Sequence, residues 1–124
     1  MYDAPAPIRT RSRWGFWRWA GLVGAATVHV GAMVVLGGLE SFDSRGTCGD
    51  PASAAALHDA RVAFAVLVGF AALPWLLGAV LAVVRRRPWL RFVLVAVAVS
   101  ALPVALWVDA LQATPAEWTS SWCF

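Results

Sequence analysis

Lysine is missing from this chain of 124 residues, and charge of any kind is scarce: Asp, Glu, Lys and Arg together make up 14% of it. Soluble domains carry about 25% charged and roughly 45–50% apolar residues. Here 60% of the side chains are hydrophobic and the mean hydropathy is +0.69, which excludes an ordinary soluble domain. The apolar runs fill over half of the chain and leave no room for a separate one. Acidic residues are absent from those runs except for Asp109 at the edge of the last, so proton-coupled transport has no membrane carboxylate to work with. Paired repeats with broken helices, frequent in secondary transporters, are also missing. No Walker, Rossmann, G-x-S-x-G or H-E-x-x-H pattern occurs, which removes the common nucleotide-binding and hydrolytic chemistries. The two cysteines form no C-x-x-C pair, which points away from a membrane thiol oxidoreductase. Together with His58 they match no structural zinc pattern. No catalytic residue, metal or cofactor is expected.

What is present is a strong asymmetry of arginine. Arg9, Arg11, Arg13 and Arg18 precede the first apolar run, and Arg85, Arg86, Arg87 and Arg91 separate the second from the third. Only Arg45 and Arg61 fall in the other connection, beside Glu40, Asp43, Asp50 and Asp59. This is the positive-inside pattern of a multi-pass membrane protein with a cytoplasmic amino terminus and an exoplasmic carboxyl terminus. It explains the net charge of +3 through topology and anionic headgroups, so no nucleic-acid partner is expected. Arginine in place of lysine, with Ala and Val dominating the runs, leans towards a GC-rich bacterial genome and hence a bacterial inner membrane.

The expected fold is an all-α membrane protein of three transmembrane helices. About 20 apolar residues suffice to cross the hydrocarbon core. A cytoplasmic arm, 1–17, leads into a first span at 18–39, an exoplasmic loop at 40–57 and a second span at 58–84. A cytoplasmic turn at 85–88, a third span at 89–111 and an exoplasmic tail at 112–124 follow. The first run is longer than the roughly 7–15 residues of a signal-peptide core, so it is read as a retained helix. Asp50 and Pro51 suit the cap and first position of a helix that starts ahead of the second span. The short Arg85–Arg87 connection demands an antiparallel hairpin of the second and third helices. Pro74 and Pro103 lie inside these spans and free the carbonyls of Phe70 and Val99; Ser100 is close enough in sequence to help at the latter. Thr114-Pro115-Ala116-Glu117 reads as a capping box opening a short interfacial helix that carries Trp118 and Trp122 on one face. Trp14, Trp17, Trp19 and Trp89 mark the inner interface, and Trp107, Trp118 and Trp122 the outer one.

A few residues stand out chemically. Cys48 and Cys123 both fall on the oxidising side, which suggests one disulfide tying tail to loop. It would close roughly 75 residues, a closure the chain-entropy model values at about 4 kcal/mol before the restriction imposed by the membrane is deducted. His29 lies near the middle of a span with no other ionisable group, and such residues mark functional sites by default. Counting at about 1.5 Å per residue brings Ser100 to the same depth, with Thr27, Trp75 and the Phe70 carbonyl nearby. The plainer reading is a neutral His bonded to a Ser or a free carbonyl between helices. Arg61 and Asp109 fall at one level when counted outward from Arg86, and an ion pair between them, extended by His58 and Asp59, would lock the hairpin. Gly21 with Ala25, Ala65 with Gly69 and Gly78 with Ala82 form small-x-x-x-small pairs suited to close helix packing.

These features suggest a non-catalytic accessory or structural subunit of a larger membrane complex, with the lipid bilayer and other membrane subunits as partners. The alternative is a small-ligand, proton or quinone-site protein built on His29.

Overall fold

The computed structural model describes residues 13–47 and 49–119. They form three helices, α1 (Arg13–Ser44), α2 (Ala54–Val84) and α3 (Leu90–Gln112). All three are long and apolar enough to cross a membrane, with mean span hydropathies of 1.9, 2.4 and 2.2. The chain is therefore all-helical in the manner of a multi-pass membrane protein. Helix α1 runs one turn beyond the expected limit, because Glu40, Ser41 and Asp43 continue it to Ser44. There the Ser44 hydroxyl donates to the Glu40 carbonyl at 2.7 Å.

The start of α2 differs from the expectation. Asp50 does not cap it, because its backbone is engaged in a tight turn, exchanging hydrogen bonds with Thr47 in both directions at 2.8 and 3.2 Å. Ser53 caps instead, from an extended backbone, its hydroxyl accepting from the Ala56 N–H at 3.0 Å. The loop before it is closely folded: a Cβ on Gly46 would sit 2.1 Å from the Ala52 nitrogen, so only glycine fits.

At its other end α2 stops in a Schellman motif. The Arg86 N–H donates to the Val83 carbonyl and the Arg87 N–H to the Ala82 carbonyl, at 2.9 and 2.7 Å. Arg86 adopts φ 51°, the left-handed conformation that this motif normally assigns to glycine. The chain turns within residues 85–89 and continues as α3.

Helices α2 and α3 make the largest contact, and α1 lies against both. Phe92 packs beside Gly78, where an added Cβ would come within 3.0 Å of the ring. Ala71 and Trp75 share a core with Ala96, Val99 and Met33 of α1. A second core joins Leu57, Ala60 and Phe64 to Ala110 and Trp118. The buried residues of α2 and α3 are mostly alanines, which lets the backbones approach. In lipid that matters more than apolar area, because the surrounding tails are as apolar as the core. Both prolines are accommodated, and the helices continue through Pro74 and Pro103.

Candidate functional site

Polar chemistry concentrates at the end of the bundle formed by the 45–53 loop and the residues after α3. Arg61 was expected to pair with Asp109, but the structure gives both other partners. The Arg61 guanidinium donates to the carbonyls of Ala110 and Ala113, at 2.7 and 3.0 Å. Those carbonyls lie in the last turn of α3 and at its C-cap, where no intrahelical donors are left to satisfy them. A cation there also meets the negative end of the helix dipole. Asp109 instead takes Arg45, at 2.8 Å, and Arg45 further donates to the Ser41 hydroxyl at 3.2 Å. His58 and Asp59 are exposed and add nothing to this arrangement.

The residue that closes this end is Trp118. It is 1% exposed, so it is not an interfacial belt residue. Its ring stands edge-on to Phe64 at 6.1 Å, the Arg45 guanidinium lies 4.2 Å above it, and its indole N–H donates to Ser44 at 3.3 Å. The Gly46 N–H donates to the Trp118 carbonyl at 3.1 Å, and Gly46 and Thr119 form a parallel bridge. The bonds of the capping box are present: the Thr114 N–H and hydroxyl donate to the Glu117 carboxylate at 2.8 and 2.9 Å, and the Glu117 N–H returns to the Thr114 hydroxyl at 3.4 Å. These bonds hold the Glu117 carboxyl below the usual carboxylate range. They close a single turn and no helix over residues 114–119, because the chain then pairs with the loop at Gly46. Three links thus tie the elements together: Arg45 joins α1 to α3, Arg61 joins α2 to α3, and Trp118 joins the tail to α1 and α2. Cys48 and Cys123 lie outside the described residues.

In the middle of the bundle His29 and Trp75 are brought together, ring centroids 6.2 Å apart and tilted by 47°. Ser100 does not join them by a hydrogen bond, nor does it serve the Val99 carbonyl. Its hydroxyl donates within α3, to Ala96 at 2.6 Å and Val97 at 3.3 Å. Thr27 likewise donates to the Val23 carbonyl on its own helix, at 2.8 Å. The Trp75 indole nitrogen is buried without a hydrogen-bond partner. Beside this pair a groove of about 600 Å³ opens between α1 and α2, running from His29 and Pro74 to Glu40. Its walls are otherwise apolar, and it offers one imidazole and one carboxylate. Among the described residues no group of three or more His, Cys, Asp or Glu side chains is placed to hold a metal.

The turn end carries a third polar feature. Arg18, Arg87 and Arg91 converge with Phe92 around two adjoining cavities of about 440 and 330 Å³, the larger of which also takes Arg85. Arg91 is half-buried and stacks against Trp19 and Phe92, 5.5 and 5.1 Å from their ring centres.

No family model matches the chain, and neither a curated protein nor a solved structure matches it. The functional reading therefore rests on geometry. Sequence reasoning missed Arg45 and Trp118 as structural centres. The Ser41–Arg45 spacing of one helical turn was the available signal for the first. Nothing local marked the second, since its burial depends on a contact between residues 46 and 119.

Proposed function

We propose that this chain is a non-catalytic accessory subunit of a larger membrane assembly, held in a bacterial inner membrane with its amino terminus cytoplasmic and its carboxyl terminus exoplasmic. In this reading α2 and α3 cross as an antiparallel hairpin around Arg85–Arg87. The observation that carries it is the uncovered surface of α1: only 11% of its span is buried within the chain. Two of the three small-x-x-x-small pairs, Gly21 with Ala25 and Ala65 with Gly69, face outward, whereas Gly78 with Ala82 packs internally. The clasp at the loop end supports a rigid scaffold. A disulfide between Cys48 and Cys123 belongs to the same proposal, since the bridge of Gly46 with Thr119 joins the segments that precede them. Purification of the full chain from its native membrane in a mild detergent tests the reading. A second membrane polypeptide in fixed stoichiometry supports it; a chain that purifies alone and monodisperse overturns it.

The groove beside His29 favours a second reading, a site for a small apolar ligand with one hydrogen-bonding group. The His29 imidazole and the Glu40 carboxylate in its lining, among otherwise apolar walls, support it. A co-purifying small molecule lost in His29→Ala would establish that reading in place of the first.

A further inference from the structure

The cleft at the turn end has the composition of an anion site. Three elements supply its arginines: Arg18 from α1, Arg85 and Arg87 from the end of α2 and the turn, and Arg91 from α3. No carboxylate lines either cavity among the described residues. Arg91 is the best placed. Its Nε is buried and has no hydrogen-bond partner, an arrangement that is costly for a charged donor. Its guanidinium lies over the Trp19 and Phe92 rings, contacts that restrict the side chain before any ligand binds. The cleft sits where the apolar spans end, and its rim is greasy: Leu81 and Trp19, which line it, are 57% and 54% exposed. A ligand that fits has a compact oxyanion for the arginines and an apolar body for the rim.

We propose that this cleft binds the phosphate of an anionic phospholipid, with Arg91, Arg87 and Arg85 donating to the phosphate oxygens and the acyl chains lying against the exposed faces of α2 and α3. Guanidinium forks match phosphate oxygens in geometry as well as charge. Basic pockets between transmembrane helices at the cytoplasmic surface are suited to such headgroups. The assignment rests on the chain being a membrane protein, and not on its having a protein partner. Bound lipid at this level would staple the end of α2 and the turn to α3, at the end opposite Trp118.

The test is native mass spectrometry of the full chain in a mild detergent, with phosphatidylglycerol, phosphatidylcholine or inorganic phosphate added at equal concentration. The wild-type chain should retain phosphatidylglycerol, retain little phosphatidylcholine and gain nothing from inorganic phosphate. Arg91→Gln should weaken phosphatidylglycerol binding about tenfold. Arg91→Lys, which keeps the charge and so the insertion signal, should also weaken it, because the planar fork is lost. Arg86→Gln removes one charge from the same end of the bundle but lies outside the cleft, and should retain the lipid like the wild type. Circular dichroism confirms that each variant is folded. Equal retention of both lipids, equal loss in Arg86→Gln and Arg91→Gln, or inorganic phosphate competing as well as the lipid would overturn the assignment. Extraction of the chain from membranes by alkaline carbonate would instead overturn the membrane reading beneath it.

Discussion

Removing the Trp118 side chain should cost this protein more than any other single truncation at the loop end. The ring is 1% exposed and fills the space between α1, α2 and the tail. Truncating a buried aromatic to alanine costs about 3–5 kcal/mol, a range that includes its ring and cation contacts. Here those are the edge-on pair with Phe64 and the stacked Arg45 guanidinium, each of the order of 0.5–1 kcal/mol. The bond to Ser44, at 3.3 Å, is long and adds little. A loss of about 4 kcal/mol is therefore expected for Trp118→Ala. Trp118→Phe, which keeps a ring but leaves the site partly empty, should lose about 1 kcal/mol, mostly through the small cavity created. Reversible unfolding in mixed micelles titrated with dodecyl sulfate reads both. Trp17→Ala and Trp89→Ala serve as controls, since those residues are 71% and 47% exposed. A Trp118→Ala variant within about 1 kcal/mol of these controls would refute the claim that this residue closes the bundle.

Three further outcomes follow from the same geometry. Arg61→Ala should cost about 2 kcal/mol, because two carbonyls of α3 lose a charged donor, whereas Asp109→Asn should cost only about 0.5 kcal/mol, its pair with Arg45 being solvent-facing. In double-mutant cycles by the same titration, Asp109 should couple to Arg45 and not to Arg61. Arg86→Gly should raise stability by about 1 kcal/mol, since glycine adopts the left-handed conformation of Arg86 without steric cost; an unchanged or lower midpoint would count against strain there. For Glu117 the folded-state carboxyl titrates below its ordinary range, so its contribution is present at neutral pH and is lost as pH falls through that lowered value. The Thr114 amide resonance should follow this titration, with a midpoint below that of a free glutamate, and should not move in this way in Glu117→Gln.

The spans were legible because length without charge is a property of the chain itself and needs no tertiary information. The Arg85–Arg87 turn was legible for the same reason. The rotation of each helix about its axis was not. In a soluble protein an amphipathic stripe reveals that rotation, but these helices are apolar all round, so the sequence carries no stripe to read. That is why Asp109 could be matched by depth to Arg61 when α1 in fact brings Arg45 to it. Ser100 was misjudged on a different ground: a serine within a helix can always satisfy itself on its own preceding turn, and here it does. Depth put His29 and Trp75 at a similar level, but that their rings meet is decided by helix rotation. The capping-box bonds of Thr114 and Glu117 also follow from sequence, but over residues 114–119 they close a turn and no helix, because Thr119 pairs with Gly46, far away along the chain.

In the proposed function, another membrane protein covers the apolar face of α1. Val28 lies on that face and is 74% exposed. A photo-crosslinking amino acid placed at Val28 and activated in intact cells tests this most directly. The expected result is an adduct of one discrete added mass, from a membrane polypeptide of different sequence, with no such adduct from the buried position Ala71. Adducts to lipid alone at Val28 would contradict the account.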